Sequence, residues 1–140
     1  MRYEHLLNSG RIRAQEVSKN EIARALKRAD RDLRTSKIIM AEDWDWGFAV
    51  AYNAVLQAAR AYMFSKGFRT IGAEAHKNTF LFLQEDMGAE YQDMIAYFNR
   101  MRSKRNQVIY DVAGLISETE ARNLLKQAEK FVKLMKKELG

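Results

Sequence analysis

The sequence predicts an all-α fold, an antiparallel up-and-down helical bundle of four long helices plus one short helix. Three observations predict it. None of the 140 residues is proline, the residue that long helix interiors tolerate least. Apolar residues recur at i, i+3, i+4 and i+7 through most of the chain, the period of a helix with one buried face. The connections between these stretches are brief, and short connections make consecutive helices antiparallel neighbours. At 47% hydrophobic residues the chain can bury a real core, which excludes general disorder.

Residues 1–17 lack clear periodicity and read as an N-terminal arm ahead of a bundle domain over 18–140. Asn8-Ser9-Gly10 marks a turn. Tyr3, Leu6 and Leu7 either pack on the body or leave the arm mobile. Ser18-Lys19-Asn20-Glu21 reads as a capping box, with the serine oxygen accepting a backbone N–H and the glutamate reaching back. The helix it opens carries Ile22, Leu26, Ala29 and Leu33 on one stripe, and Arg24, Lys27, Arg28, Arg31 and Arg34 on its other faces. Those cations read either as a solvated face or as a stripe that tracks RNA. Asp43-Trp44-Asp45 interrupts the pattern and can cap a second helix, which bears Phe48, Ala51, Tyr52, Val55, Ala58, Ala59, Tyr62 and Met63 and whose alanines admit a close neighbour. Gly67 ends it in a left-handed cap, and Phe68 to Gly72 reads as a loop. A short helix follows over about 73–86 with His76 near its start, where an isolated histidine is ordinarily a structural residue. Gly88 precedes a helix over about 89–112, and Gly114 closes it. Ser117 to Glu120 opens the last helix, with acids beside its positive N-terminus and Lys130, Lys133, Lys136 and Lys137 in its C-terminal half.

Composition narrows the function. The absence of cysteine excludes disulfides and thiolate metal sites, and two isolated histidines do not make a zinc site; no cofactor and no metal is expected. No apolar run approaches a membrane span and no signal-peptide core stands at the start, so the expectation is a soluble cytoplasmic protein. The net charge of +6 suits a polyanionic partner such as RNA.

The stretch that concentrates chemistry is YFNRMRSKRNQVIYD, Tyr97 to Asp111. Four cations, Arg100, Arg102, Lys104 and Arg105, fall within six residues. They interrupt a helical apolar line of Tyr91, Met94, Ile95, Phe98, Met101, Val108, Ile109 and Val112. Arg105 falls where that line calls for a core residue, and a guanidinium there needs an anion or an interface. Asn106 and Tyr110 are four apart and share a helix face beside it. Arg105, Asn106 and Tyr110 are the candidate catalytic residues; Arg100, Arg102, Lys104 and Arg105 are the candidate contacts to RNA or a partner.

Three segments in order resemble the HEPN superfamily of small helical bundles, over roughly residues 18–138. YNAVLQAARAYMFSKGF is similar to its tyrosine- and alanine-rich helix ending in glycine, AHKNTFLFL to the histidine-bearing short helix, and RNQVIYD to the signature helix. Many members are metal-independent ribonucleases bearing an arginine, four to six residues, then a histidine, and they commonly dimerise so that two motifs share a cleft. The resemblance implies Arg105 as the motif arginine and Asn106 as the polar residue after it. The histidine position falls on Tyr110. It also implies a homodimer and a nucleotidyltransferase-type partner protein in a toxin–antitoxin or defence setting.

Tyrosine at that position changes the chemistry. Cleavage through a 2′-hydroxyl needs a proton acceptor and a donor near neutral pH, which histidine supplies with a reference pKa of about 6.5. Tyrosine titrates near about 10, leaving roughly one part in a thousand as phenolate at pH 7. It can still donate to a phosphate or stack on a base. Three readings stand: a non-catalytic module that binds RNA or a protein partner; a metal-independent endoribonuclease using Arg105, Asn106 and Tyr110, or His76 from elsewhere in the fold; and a structural dimerisation domain.

Overall fold

A computed structural model of the protein describes residues 3–110 and 114–140, and of Tyr110 the backbone only. Six α-helices follow one another: α1 Glu4–Asn8, α2 Lys19–Met40, α3 Trp44–Ser65, α4 Ala75–Asp86, α5 Gln92–Tyr110 and α6 Glu118–Leu139. A 3-10 turn, Ala89–Tyr91, leads into α5, and two short strands, β1 Ile12–Ala14 and β2 Phe68–Thr70, pair with each other. The bundle is all-α apart from that one ladder.

The long helices α2, α3, α5 and α6 run up, down, up and down. Along α2 and α3 the contacts run in opposite senses: Ser36 Oγ donates to the Gly47 carbonyl at 2.7 Å, and Asn53 Nδ2 to Asp32 at 2.8 Å. The helices approach closely at Gly47, where a Cβ would lie 2.7 Å from the Met40 sulfur and 3.1 Å from the Met40 Cα, so a larger residue would force Met40 to shift. The short α4 lies parallel to α3, with Tyr52 beside His76 and Tyr62 bonded to Asp86 at 2.6 Å. Helix α3 is the axis of the core: Phe48, Ala51, Tyr52, Val55, Ala58, Ala59 and Met63 are all buried. Ile95 and Phe98 from α5 and Leu124, Ala128 and Phe131 from α6 close over it, with the rings of Phe98 and Phe131 5.2 Å apart. Ile22 packs on the rim of this core, half-buried, and Leu26 lies within it.

The helix boundaries follow their caps. Asp43 Oδ1 accepts the Trp46 N–H at 3.0 Å, and Gly67 follows α3 with φ +87°. At Ser18 only half of the expected box forms. Its hydroxyl oxygen accepts the Glu21 N–H, while the Glu21 carboxylate pairs instead with Arg69 on β2. A full reciprocal box stands at α6, where Ser117 accepts from Glu120 N–H at 3.1 Å and Glu120 accepts from Ser117 N–H at 3.2 Å.

Two segments without helical periodicity carry the strands. Ile12 pairs with Thr70 and Ala14 with Phe68, antiparallel, so the stretch read as a loop is partly a strand. The arm is packed here: Leu6 and Ile12 are 0% and 1% exposed, and Tyr3 lies against Phe68 and Phe82.

Candidate functional site

Helices α4 and α5 meet in an antiparallel pair, tied at one end by Gln92 Nε2, which donates to the carbonyls of Gln84 and Met87 at 3.0 Å. At the other end they part into an open cleft of about 520 Å³ lined by Ala73, Glu74, Ala75, His76, Lys77, Arg102, Arg105 and Asn106. The start of α4 and the third and fourth turns of α5 thus place one imidazole and three cations around one space.

Arg105 takes the position that its break in the apolar line demanded. Its guanidinium lies over the buried Tyr52 ring, 5.7 Å from the centroid, an arrangement that favours a cation. Nη1 donates to Asn106 Oδ1 at 3.3 Å. Nε is buried and has no hydrogen-bond partner among the described residues. Ile95, Phe98 and Val108 on the same helix face the core or its rim, so α5 delivers Arg105 to the boundary between core and solvent.

His76 closes the other wall. Its Nδ1 lies 3.3 Å from the Tyr52 hydroxyl. Burial first, then the positive charges of Arg105, Arg60 and Arg102, hold its pKa below the ordinary histidine value. Burial raises the Tyr52 pKa above the ordinary phenol value, with Arg105 and Arg102 opposing. Tyr52 is therefore a protonated phenol at neutral pH, and the ring beside it is neutral. When that phenol donates to Nδ1, the imidazole proton sits on Nε2.

The remaining candidate residues divide. Arg102 lines the cleft, with Nε donating to Asn99 Oδ1 at 2.9 Å. Lys104 points to α6 and pairs with Glu120, so it serves the bundle. Arg100 is exposed with its guanidinium 5.9 Å from the Tyr97 ring centroid. Tyr110 ends α5, and its side chain lies outside the described residues, as do Asp111 and Val112. Tyr52 and Lys77 belong to the site without having been singled out by the sequence. Tyr52 carried the signal of a core aromatic, which its ring is. His76 carried two signals, its scarcity and the resemblance of AHKNTFLFL to a histidine-bearing short helix.

Among the described residues no group of three or more His, Cys, Asp or Glu side chains is placed to hold a metal ion. No helix of the described residues is long and apolar enough to cross a membrane.

A helical bundle with an arginine-lined cleft at the junction of its short helix and its charged long helix defines a class of small α-helical domains. The family model for the HEPN domain matches residues 22–139, and the chain belongs to the HEPN family. A search of the curated proteins finds no match.

Proposed function

We propose that the cleft between α4 and α5 binds the phosphate backbone of RNA, with Arg105 and Arg102 as the principal contacts and Asn106 and Lys77 at its edges. The observation that carries this reading is Arg105: a guanidinium at the core boundary, stacked over Tyr52, with a buried Nε that lacks a partner among the described residues. A buried unpaired donor is costly, and a phosphate oxygen satisfies it while matching the planar fork of the guanidinium. Glu74 is the acidic group on the cleft wall, and it lies 3.9 Å from Lys77.

A second reading, metal-independent cleavage, is favoured by one observation: His76 faces the same cleft with its pKa lowered. A neutral imidazole near a phosphate held by Arg105 is the proton acceptor that 2′-hydroxyl attack needs. In this reading His76 takes the part that Tyr110 is ill suited to play. The domain would act beside a nucleotidyltransferase-type partner in a toxin–antitoxin or defence setting.

The test is fluorescence anisotropy with single-stranded RNA, alongside gel analysis of the RNA with EDTA present. Binding that weakens about tenfold in Arg105→Ala, with a smaller salt dependence, supports the reading. Unchanged binding in Arg105→Ala refutes it. Cleavage in EDTA that is lost in His76→Asn selects the ribonuclease; intact RNA selects the binding module.

A further inference from the structure

A second group of cations gathers where α2, α3 and β2 meet. Arg60 on α3 and Arg69 on β2 both place their guanidiniums against one ring, Phe64, at 5.5 and 4.7 Å from its centroid. Arg28, exposed on α2, approaches from the side: in the antiparallel register of the Asp32–Asn53 contact one turn back on α2 comes level with one turn on along α3, and Arg60 stands about one turn further. Burial, then the charges of Arg69 and Arg28, hold the Arg60 pKa below its ordinary value.

Three like charges repel, and a fold that assembles them loses stability unless an anion answers. Glu21 answers one, through Arg69. Arg69 Nε remains buried without a partner among the described residues. Within that set no carboxylate is paired with Arg28 or Arg60. Arg60 also acts on His76, on the same imidazole that Arg105 and Arg102 act on. Arg60 is thereby linked in charge to the α4–α5 cleft through His76.

We propose that Arg28, Arg60 and Arg69 form a second phosphate subsite, and that the ligand is an RNA strand long enough to reach from there to Arg105. This rests on the phosphate-binding reading of the cleft. A run of separated cations suits a ligand with regularly repeated charge, each phosphate releasing its own counterions. Because Phe64 is 8% exposed, its ring holds the guanidiniums and leaves no face for a base. The subsite reads backbone, not sequence.

The experiment compares two lengths of 2′-O-methyl RNA, which cannot be cut: the dinucleotide ApA, with one phosphodiester, and the dodecamer A12. Calorimetry measures both on the whole protein, its variant Arg28→Gln/Arg60→Gln, and Arg105→Gln. The double variant should weaken A12 about tenfold or more and lower its log–log salt slope by about 1.4, at about 0.7 per contact to a single strand. It should leave ApA unchanged, whereas Arg105→Gln should weaken both. Arg28→Glu changes an exposed residue alone and should act in the same direction if the double variant does not fold. Unchanged A12 affinity and slope in the Arg28 and Arg60 variants, with both ligands weakened by Arg105→Gln, overturns the second subsite and leaves the cleft standing. No effect of Arg105→Gln on either ligand overturns the cleft and the subsite with it. A polyglutamate dodecapeptide that binds through Arg28 and Arg60 while A12 does not makes the partner a protein and overturns the proposal.

Discussion

Replacing Tyr52 by phenylalanine removes one oxygen from the centre of the site and nothing from the core. The ring is fully buried, and phenylalanine refills it, so no cavity opens and the face beneath Arg105 remains. What is lost is the contact to His76 Nδ1, at 3.3 Å a long hydrogen bond and so at the weaker end of about 0.5–1.5 kcal/mol. His76 borders an open cleft, so water can replace the phenol, and the expected loss is about 1 kcal/mol or less. At about 2.1 cal/mol/K per residue over 140 residues, that lowers the Tm by roughly 3 °C. Thermal unfolding by circular dichroism measures this. Long-range proton–nitrogen NMR of the imidazole measures the tautomer, expected with its proton on Nε2 in the wild type and mixed in Tyr52→Phe. An unchanged Tm together with an unchanged tautomer would refute the Tyr52–His76 bond. A loss beyond about 10 °C would show that the hydroxyl anchors more than this one contact.

Three further outcomes are expected. NMR titration should find His76 with a pKa below the ordinary value, moving upward in Arg105→Gln as one of its neighbouring charges goes. The linkage has a definite sign: the unfolded chain takes up a proton near about pH 6.5 that the folded imidazole refuses. Stability from this group is therefore complete above that pH and falls below it, by at most about 1.4 kcal/mol per pH unit until the folded pKa is reached; a stability–pH profile identical in wild type and His76→Asn would count against it. The protein should be a homodimer, and light scattering that returns the monomer mass throughout the micromolar range would contradict that.

The four long helices and α4 were legible in their apolar spacing, helped by capping residues in Asp43-Trp44-Asp45 and at Ser117 and by a left-handed glycine at Gly67. Helix α1, Glu4–Asn8, is too short to show a helical period and read as part of the arm, so it carried little of that evidence. The strands carried none. Three residues are too few to show alternation, and Ile12–Ala14 has meaning only beside Phe68–Thr70, a partner no local window contains. Glu21 shows the same limit from the other side. Its spacing from Ser18 fits a capping box, and a cation from a distant strand outcompeted the local backbone. At the site, Arg105 was visible because a cation broke an apolar line. Its meeting with His76 depends on how α4 packs on α5, and Tyr52 shows a core ring to sequence and a hydroxyl in contact with His76 only in three dimensions.

The small ladder of β1 and β2 sets an order of events in folding. Its two strands are separated by the whole of α2 and α3, so pairing them first would mean closing a long loop for a few hydrogen bonds. Helices α2 and α3, joined by a short turn, can dock early through near neighbours. Once they stand antiparallel the ends of the future ladder are already close, and the strands can zip with little entropy left to lose. In the native state the reverse holds. The ladder is the natural place for the first partial opening, and hydrogen exchange at Gln15 and Ile71, whose N–H groups bond to Gly67 and Arg11 across it, should outrun exchange in the middle of α3.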